Sequence, residues 1–503
     1  MSKLIKYLIL SLFFTRIVLS NSLSYADQDL ISLFPIENYN QSISAWINSN
    51  DPDYDKALLS QDMQQKRFEI FQDHYFGSLS PWNADYINQI LKQSPPNDIK
   101  SIEQEVINNF SNENKPDDQI GYGENFRPYS KVWIDNIENN TNLSQFNSLS
   151  YNAANRGIAI DNLNARALPT DDVHLYSYKL AGQGYPFDNL QMSALWAGTP
   201  VYIVGETRDR NWMLVITPDY IAWVKSNGIA RANSAFINTW TTTAKTKLAA
   251  ITKTQTSLVD EQGAFLLQAY VGSVFPVMSV GNHIHLLVAA ADSNHNAVLK
   301  HATVSHNEAV IIPLTATPHN FATMMSTLIG RPYGWGSLYF YNDCSAELKS
   351  LFTPFGIWLP RHSSDQVTVG KMVDMSGEPK EKRLSYLMEN GQRFLTIVYI
   401  GGHVVMYIGN YPNPKDNSSM AMTYQDIWGL SPNPPNRRAV IGQSVLFPML
   451  LQYPEDTSLV SLADKKYFQM AYLNQLPENY LLQQRVIDIR DLIYPDLLRW
   501  HRN

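Results

Sequence analysis

The chain has 503 residues and a single cysteine, Cys344. One cysteine cannot form a disulfide within the chain, so the fold has to be held by buried apolar side chains. Hydrophobic residues make up 44% of the sequence, which is enough apolar material for several cores in a chain of this length. The sequence therefore predicts a multidomain globular protein without internal crosslinks.

The N-terminus predicts a secretory signal peptide over residues 1–26. Lys3 and Lys6 precede an apolar run at 8–19, and Ser24-Tyr25-Ala26 supplies small residues at a cleavage site. The run is shorter than the roughly 20 residues that a membrane span needs, so we expect no stable membrane insertion. The mature chain is predicted to be periplasmic or extracellular, where an idle thiol is disfavoured and a working one is favoured.

The residues around Cys344 are typical of a nucleophile. Asn342-Asp343 precede an amphipathic helical pattern that starts at the cysteine, which predicts an N-cap with the thiol in the first turn. The positive end of a helix favours thiolate, so we expect a lowered thiol pKa and fast alkylation. The alternative is a buried, inert cysteine. His403 follows Gly401-Gly402 at the start of a predicted strand, and the order Cys then His is typical of papain-like thiol hydrolases.

Four motifs together resemble those of the NlpC/p60 superfamily of cell-wall cysteine peptidases. They are Tyr333-Gly-Trp335-Gly, Asp343-Cys344-Ser345, Leu359-Pro-Arg361-His-Ser363-Ser-Asp-Gln366, and Gly402-His403-Val-Val-Met-Tyr-Ile-Gly-Asn. This resemblance implies an α+β multidomain protein. In it, a papain-like catalytic domain is preceded by a helical segment and two SH3-like β-barrels.

The spacing of hydrophobic residues along the chain agrees with this order of a helical segment, two β-barrels and a catalytic domain. Helical spacing is found over 56–77, 83–92 and 99–110, and period-two strands begin near residue 150, with Trp212 and Trp223 in the first barrel pattern. We predict a signal peptide at 1–26, a helical stabilising region at 27–150, SH3-like domains at 151–235 and 236–312, the peptidase domain at 313–450, and a helical extension at 451–503.

The resemblance assigns Cys344 as nucleophile and His403 as base. The family's usual third residue is a second histidine, and Gln425 stands at the matching place. An amide can accept a hydrogen bond from the imidazole Nδ1–H. Asp426 is the alternative, although strand alternation would point it to the opposite face. We expect Gln425.

The resemblance also implies a substrate. The reaction would be hydrolysis of the γ-D-glutamyl–diamino acid amide bond in peptidoglycan peptides with a free N-terminal L-alanine. Asp343 would bind the α-amine, because a carboxylate beside a thiolate otherwise raises the thiol pKa. The alternative is that Asp343 only caps the helix. The other predicted substrate contacts are Ser345, Ser363, Tyr333 and Trp335.

The first SH3-like domain is expected to form one wall of the cleft. It is rich in aromatic residues that could reach the cleft, which are Tyr176, Tyr178, Tyr185 and Phe187. We expect the cleft to be narrow and to admit only short, unbranched peptides.

The sequence gives less support to other classes of function. The formal net charge is −7, which argues against nucleic acid as a partner. His283 and His285 share a strand face but lack a third suitably spaced ligand, so no metal is expected. The chain has no Gly-rich phosphate loop, so no cofactor is expected either, and we expect a monomer. Three rival functions remain: a papain-like amidase or acyltransferase, an inactive wall-binding protein acting through its SH3-like domains, and a structural envelope protein.

Overall fold

The computed structural model describes residues 30–181, 184–414 and 416–477. Within these ranges the chain forms three seven-stranded sheets and several helices, an α+β multidomain architecture. None of the helices in these ranges is long and apolar enough to cross a bilayer. The predicted signal peptide, and the predicted extension from residue 478 onwards, lie outside the described residues.

The N-terminal region is largely helical, as the spacing predicted, and its helices begin at polar capping residues. Side chains of Ser60, Asn83 and Asp98 accept hydrogen bonds from backbone N–H groups in the first turns that follow them. A short strand, β1 (Ile31–Leu33), comes first. The helices are α1 (Ile43–Trp46), α2 (Gln61–Phe76), α3 (Ala84–Leu91), α4 (Ile99–Phe110) and α5 (Lys131–Thr141).

The first barrel follows, with strand order β4-β3-β7-β6-β5-β2-β8. Trp223 is fully buried in it and donates its indole N–H to the Glu103 carboxylate on α4 at 2.8 Å. This bond fixes the helical region to the barrel. The strands are β2 (Arg156–Ala159), β3 (Leu163–Arg166), β4 (Gln191–Leu195), β5 (Pro200–Glu206), β6 (Trp212–Ile216), β7 (Ile221–Lys225) and β8 (Ile229–Arg231).

The second barrel starts with a helix, α6 (Ser234–Thr246), and has strand order β11-β10-β14-β13-β12-β9-β15. Apolar side chains of α6 and of the strands share one core. The strands are β9 (Leu248–Ile251), β10 (Gln255–Val259), β11 (Phe265–Tyr270), β12 (Val274–Val280), β13 (Ile284–Ala291), β14 (Ala297–Val304) and β15 (Ala309–Ile312).

The third unit places helices against a sheet of order β1-β20-β19-β18-β17-β21-β16. Its helices are α7 (Pro318–Leu328), α8 (Cys344–Phe352), α9 (Ser363–Gln366) and α10 (Lys380–Asn390). Its strands are β16 (Lys371–Asp374), β17 (Thr396–Tyr399), β18 (Val404–Pro412), β19 (Ser419–Leu430), β20 (Arg438–Met449) and β21 (Gln469–Tyr472). Helix α8 packs on β18 and β19.

Two segments predicted as helical are strands. Residues 469–472, in the predicted helical extension, form β21, which pairs antiparallel with β16 and β17. Near the N-terminus, β1 pairs in parallel with β20. The prediction was wrong at these places because a short run carries too few periods to separate strand from helix, and pairing with a distant strand then decides.

The N-terminal helices also pack on the third unit. His74 of α2 stacks on Trp358 with ring centroids 4.1 Å apart. Arg67, 2% exposed, donates to the carbonyl oxygens of Leu473 and Gln475 just beyond β21. The helical region therefore packs against the third unit, and His74 contributes to this packing through its ring.

Candidate active site

Cys344 is the first residue of α8. The Asp343 carboxylate accepts a hydrogen bond from the Ala346 N–H at 3.0 Å, which is the predicted N-cap. The thiol residue is only 5% exposed, and the backbone N–H of Val404 donates a hydrogen bond to its sulfur. The helix end and the start of β18 thus meet at the sulfur atom.

His403 is positioned by a two-residue turn between β17 and β18. Gly401 and Gly402 have φ angles of +90° and +73°, and the Ile400 N–H donates to the His403 carbonyl at 2.9 Å. Turns with two positive φ angles match the twist of a hairpin, and glycine adopts them without steric cost. The Gly-Gly turn therefore sets the position of His403, and the next residue, Val404, bonds the sulfur of Cys344 through its backbone N–H.

Gln425 on β19 holds the imidazole. His403 Nε2 lies 2.7 Å from Gln425 Oε1, and the Gln425 amide donates to Thr423 Oγ1 at 2.8 Å. The bond to Thr423 turns the amide oxygen towards the ring, so Nε2 is the protonated nitrogen and Nδ1 can take a proton. The sequence argument had the two nitrogens reversed, because which nitrogen reaches Gln425 depends on how the turn orients the ring.

Asp426 points to the opposite face of β19, as strand alternation predicted. It lies there near Glu347 of α8, which accepts hydrogen bonds from Asn342 Nδ2 at 2.7 Å, Ser444 Oγ at 2.7 Å and the Tyr424 hydroxyl. Burial raises the pKa of Asp426 well above its ordinary value, and the neighbouring Glu347 raises it further. Asp426 thus belongs to a buried polar core behind α8, away from the imidazole.

Burial dominates the proton affinities of the thiol and the imidazole. It raises the pKa of Cys344 to about 12, with Asp343 adding to the rise. It lowers the pKa of His403 to about 4, and Lys465 lowers it further. The resting pair is therefore a neutral thiol and a neutral imidazole. The predicted low thiol pKa was wrong, because burial and the neighbouring Asp343 carboxylate raise it.

Asp343 already has a cationic partner. Arg361 donates to both carboxylate oxygens, at 2.6 and 3.1 Å, and both side chains are almost fully buried. Ser345 Oγ donates to Asp343 at 3.1 Å and accepts from Arg361 at 2.8 Å. The predicted amine-binding role assumed a carboxylate without a counter-ion, and Arg361 supplies one. Arg361 stands in the Leu-Pro-Arg motif, but only its position in the fold shows that it pairs with Asp343.

A cavity of about 510 Å³ opens beside His403. Tyr333 and Trp335 of the predicted substrate contacts line it, whereas Asp343, Ser345 and Ser363 do not. The cavity lies between the N-terminal helical region, the first barrel and the third unit, and each contributes residues to its walls.

The first barrel forms one aromatic wall of this cavity. Phe187 packs edge-on against Trp335 and Trp428, with centroid distances of 5.1 and 5.0 Å. Tyr176 also lines the cavity, while Tyr178 and Tyr185 are more than half exposed outside it. Of the four candidate rings, Phe187 and Tyr176 thus reach the cleft.

The barrel docks closely on the loop that precedes Cys344. Gln191 Nε2 donates to the Gly336 carbonyl at 3.0 Å. A Cβ at position 336, where φ is +57°, would lie 2.3 Å from the Gln191 carbonyl oxygen. The second glycine of Tyr-Gly-Trp-Gly is therefore required by contact with the barrel, which the sequence alone could not reveal.

Sequence reasoning missed three cations that line the cavity, Lys115, Arg438 and Lys465. They come from segments far apart in the chain, so no local motif marks them. In the ranges that the structure describes, no group of three or more His, Cys, Asp or Glu side chains is placed to hold a metal ion.

Two SH3 domain families match segments of the two barrels. Residues 174–225 match the SH3 domain family of SH3b1 type, and residues 233–280 match the SH3 domain family of SH3b2 type. The structure is similar to that of an NlpC/P60 endopeptidase from Photobacterium damselae subsp. piscicida, with 28% sequence identity and a TM-score of 0.76. That match covers 89% of this chain and 99% of the other.

A second similar structure is an NlpC/P60 family protein from Bacillus cereus ATCC 10987. It has 16% identity and a TM-score of 0.40, and the match covers 61% of this chain and 98% of that one. A search of curated protein sequences gave no significant match.

Proposed function

Because this chain is an NlpC/P60 protein with two bacterial SH3 domains, we propose that it is a cysteine endopeptidase of peptidoglycan peptides. The observation that carries the proposal is the arrangement around His403. Its ring is held by Gln425 through Nε2, it lines the cavity, and the next residue's N–H bonds the only thiol in the chain. A nucleophile, a base and a group that orients the base are the parts a thiol hydrolase needs.

The neutral pair sets the order of events. His403 Nδ1 takes the thiol proton as sulfur attacks the carbonyl carbon, so the base acts during attack and not before it. A backbone N–H at the start of α8 stabilises the oxyanion. The C–N bond then breaks, and the amine leaves with the proton from His403. Water, deprotonated by the same nitrogen, attacks the acyl-enzyme and releases the acid and the thiol.

The bond we propose is the γ-D-glutamyl–diamino acid amide, which the four motifs support by resemblance. Recognition of a free N-terminal L-alanine by Asp343 is not included, because Arg361 already neutralises that carboxylate. We also propose that the chain is exported, on the basis of residues 1–26, and meets its substrate outside the inner membrane.

The test is mass spectrometry of purified tripeptide and tetrapeptide muropeptides after incubation with the mature chain. We expect cleavage after the γ-glutamyl residue, and none with Cys344→Ala or His403→Ala. Thr457→Ala, an exposed change far from the thiol in sequence, is the control. Release of the whole peptide from the sugar would instead identify an amidase. Muropeptides that bind but stay intact would identify a wall-binding protein.

A further inference from the structure

The cavity beside His403 carries positive charge. Lys115, Arg438 and Lys465, here called the cationic wall, all line it, and no Asp or Glu is found among its described lining residues. The chain as a whole has a formal net charge of −7, so the cavity runs against the overall sign. A cleft with one sign of charge and low-dielectric walls attracts ligands of the other sign.

The positive charges of Lys465 and Arg438 in the cationic wall have hydrogen-bond partners among the described residues, but those partners are neutral. Lys465 Nζ donates to Ser431 Oγ at 3.1 Å, and Arg438 donates to the Arg437 carbonyl at 3.1 Å. The two carboxylates nearest in sequence to Lys465 are paired elsewhere, since Asp464 pairs with Lys380 at 3.7 Å and Asp456 pairs with Arg437. Within the described ranges, none of the three cations forms an ion pair with a carboxylate.

Arg438 and Lys465 line the same cavity and act on each other, and Lys465 also acts on the imidazole of His403. Both Arg438 and Lys465 are half-buried. Burial lowers the pKa of Lys465, and the charge of Arg438 lowers it further. Lys465 is in turn close enough to depress the pKa of His403. Two like charges that have lost part of their hydration are stabilised by an anion placed between them.

We propose that Lys465 and Arg438 bind a carboxylate of the substrate peptide beside the scissile bond, with Lys115 adding attraction for the anionic ligand. This rests on the proposed function and names its specificity. A γ-linked glutamyl residue keeps a free α-carboxylate on the acyl side of the bond to be cleaved. The diamino acid carries carboxylates on the other side of that bond. Both sources offer the same chemistry to the wall.

The experiment compares three synthetic peptides with the full mature chain. They are L-Ala-γ-D-Glu-diaminopimelate, the same peptide with the glutamyl α-carboxylate converted to an amide, and the same peptide with its diaminopimelate carboxylates converted to amides. KM and kcat are measured for the wild type, Lys465→Met and Arg438→Gln. Lys466→Met is the control, because Lys466 is exposed, adjacent, and not part of the cavity lining.

We expect amidation of one source to raise the wild-type KM about 10-fold or more, as for loss of a charge-assisted hydrogen bond. That source is the bound carboxylate. Lys465→Met and Arg438→Gln should raise KM for the acidic peptide to a similar extent, so that these variants no longer distinguish the acidic peptide from the amidated one. Lys466→Met should change neither the KM nor this preference. Equal KM for all three peptides in the wild type, or equal losses on all three in the variants, would overturn the inference.

A separate measurement of peptide binding tests the carboxylate site even if the chain does not cleave the peptides. The full chain with Cys344→Ala is titrated with the uncleaved acidic and amidated peptides by calorimetry. If the wild type cleaves neither peptide but this variant binds the acidic one at least 10-fold more tightly, the carboxylate site stands and the proposed peptidase fails. If cleavage occurs without any preference for the acidic peptide in binding, the peptidase stands and the carboxylate site is refuted.

Discussion

Replacing Arg361 with methionine tests whether Asp343 is a structural ion-pair partner. The two side chains are 3% and 6% exposed, and the shortest of their contacts is 2.6 Å. Breaking a buried pair by removing one partner costs about 3–5 kcal/mol, because it leaves an uncompensated buried charge. At roughly 2–4 °C per kcal/mol for a unit of this size, we expect the Tm of the third unit to fall by about 10 °C.

The second variant in this test removes the charge instead. Asparagine is also a good N-cap, its amide oxygen can still accept from Arg361, and Arg361 keeps its bonds to Ser193 and Ser345. Asp343→Asn should therefore cost less than Arg361→Met. The double variant should be more stable than Arg361→Met alone, since no carboxylate is then left unpaired. Differential scanning calorimetry of the four proteins gives the coupling between the two positions. A double variant no more stable than Arg361→Met would refute the ion-pair account.

The effect should also depend on pH. Burial alone raises the pKa of Asp343, but Arg361 outweighs it and holds the pKa below its ordinary value. A carboxyl with a depressed folded pKa contributes stability that is present above its unfolded pKa and is lost as pH falls through the folded one. Without Arg361 the carboxyl takes a proton more readily. The difference in Tm between wild type and Arg361→Met should therefore shrink as pH is lowered towards about 4. A constant difference down to that pH would contradict the argument.

Four further predictions concern catalysis. His403 has a pKa of about 4 and is a competent base only when neutral, so kcat/KM should rise through about pH 4 and level off. An acid limb near the ordinary histidine pKa of about 6.5 would contradict this. Cys344 in the native chain, with a pKa of about 12, should react with iodoacetamide at neutral pH more slowly than Cys344 in the urea-unfolded chain. Mass spectrometry measures the alkylated fraction over time. A faster reaction of the native chain would show that the thiol is activated at rest. Gln425→Ala should lower kcat by about 10-fold through loss of one hydrogen bond to the base, and Gln425→His should retain more activity; equal rates for the wild type and Gln425→Ala would remove Gln425 from the site. Phe187→Ala should widen the cleft and allow digestion of intact sacculi, seen as loss of turbidity, whereas the half-exposed Phe126→Ala should not; unchanged resistance of sacculi in Phe187→Ala would refute the aromatic wall as the size limit.

Secondary structure and side-chain direction could be predicted from the sequence where residues close in the chain determine them. The helices at 61–76, 84–91 and 99–110 follow from apolar spacing and capping side chains. The alternation of strand residues predicts that Gln425, and not Asp426, faces the imidazole. In the structure Gln425 bonds the imidazole and Asp426 lies near Glu347 on the other face. In contrast, β21 was missed because its strand character comes from pairing with β16 and β17, which lie far away in sequence.

The sequence by itself determined that the chain has one thiol at a helix start and a histidine after a Gly-Gly turn. Both follow from capping and from turn geometry, which act over a few residues. Only the tertiary structure decided the proton state of that pair, because burial by surrounding elements raises one pKa and lowers the other. It also decided the counter-ion of Asp343, which aromatic rings of the first barrel line the cavity, and the cationic wall. Each of these brings together side chains distant along the chain, and charges and rings interact through space, where sequence distance has no effect.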